Sequence, residues 1–341
     1  MTGAKPDKLV GAWLIAICVL VFAMVMVGGA TRLTQSGLSI TEWKPVTGVL
    51  PPLGDEDWRR AFEAYRQTTQ YAELNRGMSL GEFQGIFWWE WAHRLLGRVI
   101  GFVFLIPFLA FWATGRLKGR FFSVLALFAA GGLQGFVGWL MVQSGLEGRT
   151  EVNPAWLAAH LAVAFIIMAL ALWLALDAFA WPRERRTLVA PRALPAVFVA
   201  ALFVQIMFGA LLAGAHAGPA YPDWPMIGGE WIPRSYAALE LTDNHATQHF
   251  NHRSFGYVVV LLALTIAWFG WRRGEGAGRK LALAMGVGAL AQACLGVATV
   301  LAVTPLGLAL AHQAGAAMLW LLGVALLRTS REAGGNTIPA L

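Results

Sequence analysis

Four histidines and one glutamate stand where chemistry is costly. The stretch WWEWAHRLLGRVIG (88–101) sets Glu90, His93, Arg94 and Arg98 at the mouth of a strongly apolar segment. Polar groups beside lipid are rare and ordinarily face a bundle interior. A second stretch, FNHRSFGYVVVLLA (250–263), repeats the pattern with His252 and Arg253; in both, a Gly follows three residues after the Arg. His160 in WLAAHLAVAF (156–165) and His312 in LALAHQAGAA (308–317) form a second matching couple. One such His alone is ordinarily a core residue satisfied by a neighbouring helix. The same residue at equivalent places in both halves, always in pairs, suits another task. Two imidazoles from facing helices make a bis-histidine axial clamp for a haem iron. Arg94 and Arg253 each follow a His directly. They suit charge-assisted bonds to the anionic propionates of such a ring, or else simple snorkelling to the interface.

Glu90 breaks the symmetry. Aligning His93 with His252 sets Glu90 against His249. A residue three positions before the ligand shares its helical face, about 4.5 Å away along the axis. Glu90 therefore borders only one of the two clamped rings. A carboxylate there can take protons or stabilise a developing cation; the alternative is an interfacial Glu paired with an Arg.

The elements that must position these residues are membrane helices. The 341-residue chain is 57% hydrophobic and 13% charged, with a mean hydropathy of +0.58. Charge that scarce does not cover a soluble surface. A bilayer crossing takes about 20 mostly apolar residues. Stretches of that kind lie at 9–30, 87–113, 121–143, 155–180, 194–214, 248–270, 281–303 and 307–328. The first ends in GGATRL rather than a small-residue cleavage site and is expected to stay as a span. The halves also repeat outside the histidines. LQGFVGWL (133–140) and AQACLGVA (291–298) both hold a Gln with a Gly four residues on. Gly28 to Trp43 and Gly209 to Trp224 have the same length. The expected fold is all-α and integral to the membrane, eight transmembrane helices as two pseudo-symmetric four-helix bundles. The first bundle takes residues 1–180, with a long extracytoplasmic loop at 31–86. A cytoplasmic linker (181–193), the second bundle (194–328) and a cytoplasmic tail (329–341) follow. In the long loop, EDWRRAFEAYRQTTQYAEL reads as helical, either a lid over a site or a solvated amphipathic helix.

The net charge of +7 reports topology. The termini and alternate loops carry 15 Lys and Arg, including RLKGR, RERR and WRRGEGAGRK; the opposite side carries 8 over longer, more acidic loops. By the positive-inside rule both termini are cytoplasmic, and the four histidines start their helices at the extracytoplasmic end. A nucleic-acid partner would need a basic soluble face, which this pattern lacks. Cys18 and Cys294 fall inside spans, with no CxxC or CxxCH, so thioredoxin-like chemistry and covalent haem attachment are both unsupported. They read as small apolar packing residues. His245, His249 and His252 share a helical face, a spacing that also suits zinc or copper. However, no cysteine or carboxylate trio completes a shell. His216 reads as a solvated loop residue.

The sequence resembles the haem A synthase family, in its longer-looped proteobacterial and mitochondrial-type branch. The resemblance rests on GGATRLTQSGLSITEWKPVTGVLPP (28–52), EFQGIFWWEWAHRLLGRVIGFVF (82–104), the helix of His160, NHRSFGY (251–257) and the helix of His312, and covers almost the whole chain. It implies a multi-pass protein of the cell inner membrane that oxidises the C8 methyl of haem O to a formyl group, giving haem A for cytochrome oxidase. In the family this is understood as two hydroxylations and loss of water. The resemblance further implies a b-type haem (haem b) on His252 and His312, and substrate haem O on His93 and His160. Glu90 matches the family's essential glutamate. The implied partners are haem O synthase and cytochrome oxidase assembly factors; a homo-oligomer is compatible with the reading. One departure is the missing cysteine pair in an extracytoplasmic loop, which removes a thiol–disulfide step there.

The rival is a di-haem b-type membrane cytochrome that only transfers electrons. It explains the four histidines but not Glu90, and its haems would lie near opposite membrane faces. A transporter built from repeats has the symmetry but lacks mid-membrane coupling carboxylates.

Overall fold

A computed structural model describes residues 5–44, 47–146, 148–181 and 193–332. Most of the linker and the end of the tail lie outside the described residues. Ten α-helices are formed and no strand among the described residues. Eight are long and apolar enough to cross a membrane: α1 (Lys8–Leu33), α4 (Leu80–Ala113), α5 (Phe121–Leu146), α6 (Pro154–Ala178), α7 (Ala193–Gly214), α8 (His245–Arg273), α9 (Gly276–Leu301) and α10 (Leu306–Glu332). Two short helices, α2 (Asp55–Arg66) and α3 (Thr69–Glu73), lie in the long loop.

Local chemistry sets where the helices begin. Asp7 caps α1 by accepting from the N–H groups of Leu9 and Val10, and Asn153 caps α6 through Ala155. Such caps satisfy amides that no helical turn can reach. The start of α4 differs from expectation. It begins at Leu80, not 87, because Ser79 and Glu82 form a reciprocal capping box. Its first two turns are amphipathic, so an apolar-window reading passes over them. They are the platform for α2. Phe62 and Tyr65 pack on Phe83 with ring centroids 5.0 and 5.3 Å apart, and Trp58 meets Phe87 at 5.0 Å. The loop helix is thus docked, with its apolar face on α4 and its charged face in solvent.

Both halves use the same packing scheme. α1 packs on α4 and α6, and α5 on α6; in the second half α7 packs on α8 and α10, and α9 on α10. The halves meet through α1, α6, α7 and α10. Trp320 of α10 donates its indole N–H to the Phe165 carbonyl of α6 at 2.8 Å, and Gln313 of α10 donates to the Val25 carbonyl of α1 at 2.6 Å. Buried donors of this kind need a partner in an apolar interior. The outward faces carry exposed apolar side chains, among them Phe102, Phe122, Leu261 and Val287. Lipid is the solvent that accepts such a surface.

One pair of helices departs from the repeat. α8 and α9 lie against each other along their length, with small residues at the contact: a Cβ on Gly286 would fall 2.6 Å from that of Ala267. Small side chains let backbones approach. α4 and α5 touch sparsely instead. Between them stands a stacked layer of phenylalanines, Phe104 and Phe108 against Phe128 at 5.4 and 5.9 Å, and Phe108 against Phe121 at 5.9 Å. Beyond that layer Gly101, Gly131, Gly132 and Gly135 meet nothing within 4 Å.

Candidate active site

Each of the four predicted histidines leans on a glycine of a neighbouring helix. A Cβ would lie 3.1 Å from His93 Nε2 at Gly28, 2.7 Å from His160 Cε1 at Gly138, 3.0 Å from His252 Cε1 at Gly209 and 2.8 Å from His312 Cε1 at Gly296. Any larger residue would push the rings away, so these glycines make room for imidazoles. The rings of His252 (α8) and His312 (α10) face each other with centroids 6.3 Å apart at 80°. His93 (α4) and His160 (α6) are likewise within electrostatic reach of each other.

Glutamines fix three of the four rings. Gln292 Nε2 lies 3.1 Å from His312 Nδ1 and donates to the His312 carbonyl at 2.7 Å. Gln205 Nε2 does the same at His252, at 3.1 and 2.9 Å. Gln134 Nε2 lies 3.1 Å from His160 Nε2, the other ring nitrogen. Several atoms here are buried with no hydrogen bond, among them His160 Nδ1, Gln134 Oε1 and Gln205 Oε1. Orphaned polar atoms beside paired imidazoles suit a group still to be bound, such as a haem whose iron the two histidines of a pair would hold. The role of Gln205 was missed in the sequence. Its signal is the same Gln-x-x-x-Gly spacing seen at 134–138 and 292–296.

Glu90 is buried, and three donors converge on it. Ser39 Oγ and the Ile40 N–H both donate to Oε2 at 2.8 Å, and Arg94 Nη2 donates to Oε1 at 2.6 Å. Arg94 goes on to the carbonyls of Ile40 and Glu42, at 2.8 and 2.9 Å. The other half repeats this grip. Arg253 donates to the carbonyls of Tyr221 and Asp223 at 2.7 Å each, and to that of Met226 at 2.9 Å. His249 takes the place of Glu90, with Nδ1 2.9 Å from Arg253 and Nε2 donating to the Ala217 carbonyl at 2.7 Å. Both arginines therefore clamp a Trp-bearing loop over the helix end, a role their position in the sequence did not reveal. Arg253 Nε stays buried without a partner. No group of three or more His, Cys, Asp or Glu among the described residues is placed to hold a metal ion.

The docked loop reaches the same region. Gln70 Nε2 donates to the Gln35 carbonyl at 3.1 Å, and Tyr65 donates its O–H to Gln70 Oε1 at 2.9 Å. Burial raises the Tyr65 phenol above its ordinary value, and the charge of Glu90 adds to the rise. His216 is not the solvated loop residue expected. It pairs with Glu151 at 2.7 Å and touches Arg32. Arg32 in turn donates to Glu151 at 2.7 Å and to the Gly214 carbonyl at 2.8 Å, tying the two halves together. Burial would raise the Glu151 carboxyl. The hydrogen bonds and charges of His216 and Arg32 outweigh it and hold the group below its ordinary value.

Eight apolar spans, two pairs of neighbouring imidazoles on glycine seats and one buried carboxylate describe a polytopic membrane protein with two related sites. Comparison with known proteins is specific. A model of the cytochrome oxidase assembly protein family matches residues 11–324. The heme A synthase of Maricaulis maris is 44% identical over 334 residues, covering 96% of this chain and 97% of the relative. That of Rhodopseudomonas palustris (strain BisA53) is 48% identical over 334 residues, covering 94% and 91%. That of Parvibaculum lavamentivorans is 45% identical over 327 residues, covering 94% and 93%. The chain belongs to the cytochrome oxidase assembly protein family that includes these heme A synthases, and is a multi-pass membrane protein.

Proposed function

We propose that the chain is a haem A synthase, an oxidoreductase that converts the C8 methyl of haem O to a formyl group. The observation that carries this reading is the buried Glu90 beside one histidine pair and its replacement by His249 beside the other. His252 and His312 hold haem b as the resident cofactor. Their rings lie close, with centroids 6.3 Å apart, and would together hold the iron of that haem. When bound, the haem supplies one-electron chemistry. Arg253, with Nε still free of partners among the described residues, suits a propionate.

His93 and His160 hold the substrate. The sparse contact between α4 and α5 leaves a seam beside this site, facing lipid, through which a flat apolar ring can enter. Glu90 lies one turn from His93, near the edge of the bound substrate. Ser39, Ile40 and Arg94 fix its carboxylate, so its negative charge stabilises positive charge that develops on the reacting edge. The docked α2 excludes water from above. Arg94 serves Glu90 and the loop, and the propionate contact inferred for it is part of the proposal. By the charge pattern the termini are cytoplasmic and the sites lie near the outer face of the cell inner membrane. Haem O synthase and oxidase assembly factors are the partners this reading asks for.

The test is a haem profile. The chain is produced together with a haem O synthase, purified, and its extracted haems identified by chromatography and mass. Haem A, or a hydroxylated haem, supports the reading. Haem B alone, despite available haem O, overturns it in favour of the electron-transfer cytochrome.

A further inference from the structure

Three of the four histidine seats set a Gln and a Gly of a neighbouring helix against the ring, at Nδ1 for His252 and His312 and at Nε2 for His160, and the fourth has no Gln. His160 faces Gln134 and Gly138 of α5, His312 faces Gln292 and Gly296 of α9, and His252 faces Gln205 and Gly209 of α7. In each, the Gln lies four residues before the Gly. His93 faces Gly28 of α1, and four residues before it stands Met24. Met24 fills the place that Gln205 fills. A Cβ on Gly97 would meet Met24 Cε at 3.0 Å, and one on Gly256, its counterpart, would meet Gln205 Nε2 at 3.3 Å. The substitution is therefore an exchange of a carboxamide for a thioether in the same space.

The two groups act differently on an imidazole. A carboxamide offers both a donor and an acceptor, whereas a thioether is a weak acceptor only. A ring whose Nδ1 is engaged is fixed in rotation and in tautomer, with Nε2 left for a metal. Gln205 Nε2 now lies on Nδ1 and donates to the His252 carbonyl; turning the amide brings the buried Oε1, now without a partner, to Nδ1 as the acceptor that an Nδ1–H needs once a metal takes Nε2, in exchange for the carbonyl bond. His93 forms no ring hydrogen bond among the described residues. It also sits differently: it turns Nε2 and Cδ2 to its glycine, where the other three turn Cε1 and Nδ1. Methionine, unbranched and adaptable, tolerates such rotation.

We propose that Gln205 makes the haem site of α8 and α10 a permanent one, and that Met24 makes the site of α4 and α6 exchangeable. The inference rests on the reading that the histidine pairs hold haem. Gln205 and Met24 are positioning residues: they set how firmly an axial imidazole is held, and so which ring stays through purification and which must leave as product.

The experiment uses the full-length protein purified in detergent, as wild type and as Gln205→Met, Gln205→Glu, Met24→Gln and His252→Ala. Loss of haem to excess apomyoglobin is timed, and the midpoint potential and low-spin spectrum are recorded. Loss of an outer-shell partner of a ligating His typically costs 10–100-fold in affinity. Gln205→Met is expected to release its haem faster by about that factor, with a shifted potential. Gln205→Glu, which keeps an acceptor in place, is expected to restore slow release. Met24→Gln is expected to retain a second haem and release it slowly. Equal release rates and an unmoved potential in Gln205→Met and Met24→Gln, with haem lost in His252→Ala, overturn this proposal alone. Wild-type protein without haem, or with haem indifferent to His252→Ala, overturns the histidine-clamp reading and this proposal with it.

Discussion

Glu90 and Arg94, one turn apart on α4, form a 2.6 Å ion pair with side chains only 3% and 14% exposed. At the equivalent place on α8, Arg253 meets the His249 ring at 2.9 Å. One residue thus gives two otherwise parallel sites different electrostatics, a carboxylate in one and an imidazole in the other. The first expectation follows. Glu90→Gln keeps the size of the side chain and removes its charge. Haem A formation is expected to fall about 10²–10³-fold, the usual worth of one group placed to stabilise developing charge. Haem bound at α8 and α10 is expected to stay unchanged. Extracted-haem profiles measure both.

Arg94→Ala should do a different kind of harm. It leaves Glu90 buried and unpaired and frees the carbonyls of Ile40 and Glu42. Breaking a buried pair from one side costs about 3–5 kcal/mol. Thermal unfolding in detergent is expected to register that loss, and Glu90→Gln/Arg94→Ala is expected to recover part of it.

Gly296 tests the seats. A Cβ there would lie 2.8 Å from His312 Cε1, whereas one on Gly131 meets nothing within 4 Å. Gly296→Val is expected to overpack its site, typically by about 1–3 kcal/mol, and to lose the haem spectrum of the second half. Gly131→Ala is expected to leave the spectrum as it was.

The docking of α2 can be undone locally. Phe62→Ala removes a ring that packs on Phe83 and Tyr71, a change that typically costs about 3–5 kcal/mol in a core. Beyond the first turns of α4, the main core of the spans is a separate cluster that includes no residue of α2. Limited proteolysis is expected to cut within residues 55–79 in the variant, while thermal unfolding of the spans is unmoved.

Glu151 gives a pH dependence. Its folded-state value lies below the ordinary 4.5, so its stabilising effect is complete above that value. It is lost as pH falls through the lower, folded-state value. Acid is therefore expected to loosen the Arg32–Glu151–His216 junction, and Glu151→Gln is expected to flatten that part of the stability curve, followed by thermal unfolding in acid buffers.

Much of this was legible in the sequence, for physical reasons. Spans are long and apolar, and the spacing of His93, His160, His252 and His312 survives any detail of packing. Glu90 stood out because its counterpart, His249, is chemically unlike it. What escaped notice depends on backbone atoms or on partial repeats. Arg94 and Arg253 bind carbonyls of distant loops, and carbonyls carry no side-chain signature. Gln205 was hidden because Met24 breaks the pattern that would have revealed it. The first turns of α4 were passed over because their stability comes from a capping box and from α2, not from hydropathy. His216 looked solvated because its partners, Arg32 and Glu151, come from segments far away in the chain.

The seam left beyond the phenylalanine layer between α4 and α5 has a kinetic meaning. A reactant that dissolves in oil and enters through a seam facing oil never crosses water, so its search is confined to two dimensions. Saturation is then set by the mole fraction of reactant in the surrounding lipid, not by its molarity in buffer. Enlarging the lipid phase at fixed reactant is expected to slow turnover, as dilution slows a soluble enzyme, while enlarging the aqueous volume leaves it untouched. A product equally insoluble in water would depart into that same sheet.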